Sequence, residues 1–285
     1  MGKCVSPFRK KGTLVDLPCG KCYDCKMRRI SGWSYRLMKE AEISSSAFFL
    51  TLTYSPEHTR ITPKGYMTCT KRDVQLFMKR LRKLNKEKLR YYAVAEYGGK
   101  TDRPHYHIIL FNVDVETIET AWELGHIHVG NITEASIGYT MKYISKGGKI
   151  PKHINDDRLP EFSLMSKGLG KNYLTEQMIK YHKDKNAMCD RVFIQIKDGK
   201  KIALPRYYKD KLYTDVEKVD IAIHMGDKEC AKDVGKTREQ IKKDIYQIRI
   251  IKNFSRKKIA DDLNMTIGNY GKIERGIVEV RLETL

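Results

Sequence analysis

The 285-residue chain has no uninterrupted apolar run near the roughly 20 residues a bilayer demands, so no membrane-spanning helix is expected. Its opening, MGKCVSPFRKKG, lacks an apolar segment of the kind that directs export, and the expectation is a soluble, intracellular protein without a membrane partner. Acidic residues are also scarce: 35 Asp and Glu stand against 55 Lys and Arg, a formal net charge of +20. Each Lys or Arg set on a phosphate releases a condensed counterion, so nucleic acid is the leading partner class. The excess is concentrated in residues 1–150 and 236–285, with 151–235 nearly neutral. No internal repeat or low-complexity tract occurs. With 41% hydrophobic residues the chain has material for a core, which excludes a disordered tail or a disulfide-stapled mini-protein.

The seven cysteines are an odd number, unsuited to a disulfide framework. Three of them, Cys19, Cys22 and Cys25, form CxxCxxC. With Cys4 as a fourth thiolate they would suit a structural Zn²⁺ tetrahedron, the alternative being free thiols in a turn.

Periodicity orders the first half. Residues 26–43 read as a helix with Trp33, Leu37 and Ala41 on one face, and residues 47–54 (AFFLTLTY) as a strand. Thr70 is a candidate N-cap for a helix whose apolar stripe is Val74, Phe77, Leu81 and Leu84. Residues 90–97 and 105–111 read as strands joined by GGKTDRP, a hairpin. A short strand in HIHVGNI and a helix in EASIGYTMKYISK follow. The fold class is therefore α+β, an antiparallel sheet with helices packed on it. Boundaries are expected for a Cys-rich head and helix (1–45), a core (46–150), an α/β extension and connector (151–235) and a helical tail (236–285).

Side chains alternate along a strand, so His105 and His107 share a face, and Glu96 on the partner strand lies near both. Two imidazoles and a carboxylate suit a divalent ion with open positions. An isolated HxH is more often simple alternation on a half-buried strand. A second one, His126-Ile127-His128, has no evident carboxylate partner, and Glu96 separates the two. In the last helix of this region Tyr139 and Tyr143 are four apart, each followed at three by Lys142 and Lys146. That spacing puts two phenols and two ammonium groups on one stripe, able to favour phenolate or a phosphate's charge. Core packing is the ordinary role of such tyrosines, but two lysines on the stripe argue against full burial.

In order along the chain, PCGKCYDCKMRR (18–29), TLTY (51–54), DVQLFMKRLRK (73–83), EYG (96–98), RPHYHIILF (103–111) and the two-tyrosine helix resemble rolling-circle replication initiators of the HUH endonuclease superfamily. The likeness is to those of gokushovirus-like Microviridae, small single-stranded DNA bacteriophages, and weaker echoes extend it to about residue 215. It implies a ferredoxin/RRM-like HUH core, with His105, His107 and Glu96 holding Mg²⁺ or Mn²⁺. It also implies tyrosine attack by Tyr139 or Tyr143 to give a 5′-phosphotyrosine and a free 3′-hydroxyl. The implied partners are single-stranded and origin DNA and the host helicase and polymerase, in the cytoplasm of a bacterial host.

Residues 71–90 hold nine Lys/Arg against two acids, and Arg72, Lys79, Arg80, Arg82 and Lys83 are expected to bind the DNA backbone beside the cutting centre, with Arg103 a further contact. The segment from Ile245 resembles the helix-turn-helix of Cro/C1-type phage regulators, with Ser255 and Thr266 as caps. Its second helix has Ile267 and Gly268 where bases are usually read, leaving Asn269, Lys272 and Arg275 for DNA. Two other readings stay open: a non-catalytic DNA-binding regulator, and an HUH transposase or relaxase. The tandem YxxK speaks against the regulator, and the second tyrosine against single-tyrosine transposases.

Overall fold

A computed structural model of the protein describes residues 4–9, 16–99, 101–133, 137–138, 140–141, 150–196, 199–234, 249, 254–262 and 266–274. Two compact units divide the chain: Arg29–Lys180, and Met1–Arg28 together with Tyr181–Leu285.

The first unit is built on strands β1 (Ala47–Thr53), β2 (Arg90–Tyr97), β3 (Pro104–Phe111), β4 (Ile127–Asn131) and β5 (Phe162–Met165). Their order is β4-β1-β3-β2-β5 with every neighbouring pair antiparallel, so the architecture is α+β as the hydrophobic periodicity predicts. Helices α1 (Tyr23–Glu42), α2 (Lys71–Leu84) and α3 (Glu116–Ala121) accompany the sheet.

Two apolar clusters cover the sheet's two faces. On one, Leu50, Leu52, Ala93, Ala95, Tyr106, Ile108 and Leu110 meet Val74, Phe77, Met78 and Leu81 of α2 and Ile118 of α3. On the other, Tyr92, Val94, Ile109 and Phe111 meet Leu37 of α1 together with Ile137 and Met141, while Trp33 and Phe49 pack at the edge. The period-2 alternation of β1, β2 and β3 makes this two-sided burial possible. Each large apolar side chain so removed from water contributes about 1.5–3 kcal/mol.

Helix α2 starts where its cap predicts. Thr70 is extended (φ −131°, ψ 140°) and its hydroxyl accepts from the Asp73 amide. Its buried stripe is Val74, Phe77, Met78 and Leu81. Leu84 departs from the expected stripe: it is 47% exposed, because the helix ends at it and Asn85 turns the chain away. Beneath the first turn Asp73 receives two bonds from Arg60 (2.8 and 2.9 Å) and one from the Tyr54 hydroxyl (2.6 Å). The Tyr54 hydroxyl lies 2.6 Å from that of Tyr106, which accepts from the Thr70 amide at 2.8 Å. This network ties the centre of β3 to the start of α2.

The β2–β3 turn is closed by Gly98 N–H to Arg103 C=O (2.9 Å), and Asp102, in the left-handed region at φ 50°, accepts from Arg158 (3.1 Å) and Lys152. Gly125, before β4, requires a glycine: a Cβ there would lie 2.3 Å from the Thr53 carbonyl oxygen.

The second unit holds the cysteine-rich segment, a two-stranded ribbon of β6 (Phe193–Gln195) and β7 (Lys201–Ala203), and helices α5 (Arg206–Leu212) and α6 (Asp215–Val234). Along the chain, the division between the units falls within helix α4 (Glu176–His182), after Lys180. Val192, Ile194, Leu204, Tyr208, Leu212 and Tyr213 are buried here. In the tail, α7 (Arg256–Asp262) and α8 (Ile267–Glu274) pack on each other, with Ala260 and Tyr270 buried. Ser255 caps α7, its hydroxyl accepting from the Lys258 amide at 3.1 Å.

Candidate metal centre

Alternation along β3 sends Tyr106 to the α2 face and His105 and His107 to the α1 face. Register then decides their neighbours. Glu96 of β2 stands directly opposite His105, and Thr51 of β1 directly opposite His107. The Glu96 carboxylate lies 2.6 Å from His105 Nε2 and 3.6 Å from His107 Nε2, and one donor atom from each residue falls within 4.8 Å of the others. His107 and Glu96 are buried (4% and 5% exposed) and His105 is half-buried, so the trio opens to solvent on one side.

Each ring is held from behind. His107 Nδ1 lies 3.1 Å from the Thr51 hydroxyl, and His105 Nδ1 lies 3.2 Å from the Arg103 carbonyl, which can only accept. A proton on Nδ1 of each ring satisfies both contacts and leaves Nε2 as the atom that faces the carboxylate, the nitrogen through which such a histidine would bind a metal ion. Phe49 stacks on the His107 ring (centroids 5.6 Å, interplanar 11°) and limits its rotation. Burial tends to raise the Glu96 carboxyl, but the bonds and charges of His105 and His107 outweigh it and hold the group down at about 2. Glu96 is therefore an anion at neutral pH in a partly dry site, and the donor set of two imidazoles and one carboxylate fits a divalent ion.

Tyr139, Lys142, Tyr143 and Lys146 lie outside the described residues. Their described neighbours Ile137 and Met141 are buried against Tyr92, Val94, Ile109 and Phe111, on the same sheet face as the trio. Thr51 carries no assignment from sequence. Its only signal there is its place in TLTY, one strand pairing away from a histidine.

The basic run departs from expectation in one respect. Helix α2 covers the face opposite the trio, and its C-terminal end, where Asn85 bonds the Asn112 carbonyl (2.8 Å), lies at the far end of β3. Lys79, Arg80, Arg82 and Lys83 are thus not beside the histidines, because helical periodicity reveals an apolar stripe but not which sheet face receives it. Arg80 pairs with Glu123 (2.8 Å), Arg82 lies over the Tyr91 ring, and Arg72, Lys79 and Lys83 are exposed. Arg103 is exposed two residues from His105, its guanidinium bonded to the Tyr54 carbonyl. Asn269 and Lys272 lie on α8, and Arg275 lies outside the described residues.

The second histidine pair is closer than the sequence suggests. His128 of β4 is paired with Thr51, so it shares the trio's face with Thr51 between it and His107. Both His126 and His128 are exposed.

In the other unit the four thiols of Cys4, Cys19, Cys22 and Cys25 gather, with all Sγ atoms within 4.8 Å of one another. Cys25, expected to precede the first helix, lies in its opening turn because α1 begins at Tyr23. Amide bonds from Cys22 and Lys21 pull the Cys19 thiol down to about 6, whereas burial pushes that of Cys25 up to about 12.

A family model described as Replication-associated protein ORF2/G2P matches residues 47–148, a span that opens at the first residue of β1 and contains the trio. The chain is 30% identical to the Replication-associated protein ORF2 of Spiroplasma virus 4, over 69% of this chain and 67% of that protein. It is 28% identical to the Replication-associated protein VP4 of Bdellovibrio phage phiMH2K, over 68% and 66%. It is 24% identical to the Replication-associated protein ORF4 of Chlamydia phage 1, over 69% and 53%. No solved structure matches significantly. The alignments with viral relatives extend well beyond the sheet that carries the trio, and the chain belongs to the gokushovirus-like replication-associated proteins of the Microviridae.

Proposed function

We propose that the protein initiates rolling-circle replication of a single-stranded DNA genome by nicking and rejoining one strand through a tyrosine. The observation that carries this reading is the Glu96–His105–His107 trio, buried but for one half-exposed imidazole, with both rings held from behind and the carboxylate kept ionised. The names of the viral relatives support the replication role.

Mg²⁺ or Mn²⁺ held by these three residues would supply positive charge that polarises a scissile phosphate. Thr51 and the Arg103 carbonyl fix the ring orientations, and the Arg103 guanidinium, exposed beside His105, would take a flanking phosphate in exchange for its bond to the Tyr54 carbonyl. The phenolate of Tyr139 or Tyr143 attacks phosphorus: a Tyr–O–P bond forms, the bond to the 3′-oxygen breaks, and that oxygen takes up a proton. Lys142 and Lys146 favour the phenolate by their charge. The ester keeps the energy of the broken linkage. When the origin is regenerated the other tyrosine cleaves it, and the released 3′-hydroxyl attacks the first ester, freeing a circle and restoring the first tyrosine. The free 3′-end meanwhile serves the host helicase and polymerase. The exposed cations of α2 bind strand backbone away from the cutting centre, and the tail, through Asn269, Lys272 and Arg275, binds duplex origin DNA.

The test is to incubate the protein with circular single-stranded origin DNA and Mn²⁺ and to look for a covalent protein–DNA species on a denaturing gel. Wild type should form it and the double variant Tyr139→Phe/Tyr143→Phe should not. No adduct with wild type, or an undiminished one with the double variant, would overturn the reading.

A further inference from the structure

We propose that Cys4, Cys19, Cys22 and Cys25 bind one structural Zn²⁺ ion as a tetrahedral four-thiolate site. Four sulfurs at ordinary zinc distances are about 3.8 Å apart along the edges of their tetrahedron. Here Cys4 Sγ and Cys22 Sγ are 4.0 Å apart and the whole set falls within 4.8 Å. All four are free thiols, and 4.0 Å is far outside the roughly 2.05 Å of a disulfide.

The backbone is arranged around the sulfurs. The reciprocal bridge between Phe8 and Leu17 (3.0 and 2.8 Å) folds residues 4–9 back beside residues 16–19. Gly20 turns the chain at φ +71°, in the left-handed region that favours glycine. The turn points the amides of Lys21 and Cys22 at Cys19 Sγ (3.4 and 3.3 Å), while the Cys19 amide points at Cys4 Sγ (3.2 Å). Amides directed at sulfur stabilise thiolates and fix their direction, as the partners of metal ligands do. Cys22 and Cys25 flank the start of α1, three residues apart and therefore on the same side of its first turn. Four soft ligands in a closed set select zinc over the hard ions suited to the histidine trio. A site closed by four protein ligands has no open position, so its role is to hold residues 4–9 and 16–25 together rather than to catalyse.

The metal content of full-length protein, purified without added metal and measured by plasma mass spectrometry, should be about one zinc per chain. Cobalt(II) added to metal-free protein should give thiolate-to-metal charge transfer and the intense visible bands of a tetrahedral site. Cys19→Ser/Cys22→Ser should lose both signals. Cys69→Ser/Cys189→Ser, and separately His105→Ala/His107→Ala, should keep both. No zinc, iron in its place, a cobalt spectrum without charge transfer, or loss of zinc on replacing the histidines would each overturn the proposal. Wild-type cobalt titration decides the matter even if the cysteine variants fail to fold.

Discussion

Two His-x-His pairs lie on the same face of one sheet, separated by the single strand β1, and they differ in nearly everything but their sequence. His105 and His107 sit on the central strand, with Glu96 opposite one and Thr51 bonded to the other. His128 lies on β4, an edge strand that pairs with β1 alone among the described residues, His126 immediately precedes that strand, and both are exposed. The residue between the first pair, Tyr106, is buried and anchored to the Tyr54–Asp73–Arg60 network; the residue between the second, Ile127, is partly buried. The difference teaches that the spacing supplies only imidazoles on one face of the sheet. A carboxylate at the right register, a fixed tautomer and partial burial make a site of them.

Separate alanine replacement of each pair breaks the comparison most sharply. Losing His105 and His107 should lower Mn²⁺-dependent cleavage by more than about 100-fold, since a catalytic ion contributes several kcal/mol. Losing His126 and His128 should change cleavage within about twofold, as ordinary surface substitutions do. DNA binding, read by salt-dependent anisotropy, should persist in both.

Glu96→Gln keeps the shape of the first site and removes its charge, and Mn²⁺ affinity by calorimetry should fall on the order of 100-fold. Thr51→Val leaves all three ligands in place but removes the acceptor behind His107, and the same titration should show a loss of about 10- to 100-fold.

The smallest expected effect lies on the other face. Burial raises the Asp73 carboxyl, but the Arg60 and Tyr54 bonds outweigh it, so it titrates below its ordinary value of 3.8. Its stabilisation is present above that value and disappears as pH falls through the lower folded-state value. Asp73→Asn should destabilise the protein by about 1–2 kcal/mol at neutral pH, Arg60 being half in solvent. Its urea midpoint should also fall less than that of wild type as pH drops below about 4.

Much of this was legible in the sequence. Alternation and the Gly-rich turn indicated the β2–β3 hairpin and hence Glu96 near His105, and Thr70 marked the start of α2. What escaped depends on contacts between segments far apart in the chain. The four residues of β5 complete the sheet's edge from position 162 but are too few to show a period. The stripe of α2 does not say which face it covers. Thr51 behind His107, and His128 beyond Thr51, follow from pairings across β1 that no local pattern encodes. Cys4 meets Cys19 through the Phe8–Leu17 bridge, which a spacing rule does not see.

Electron paramagnetic resonance of Mn²⁺ titrated into wild type and the two double-histidine variants tests the central claim most directly. Bound Mn²⁺ should be seen in wild type and in His126→Ala/His128→Ala and be lost in His105→Ala/His107→Ala. Retention of the bound signal without His105 and His107, or its loss without His126 and His128, would contradict the account.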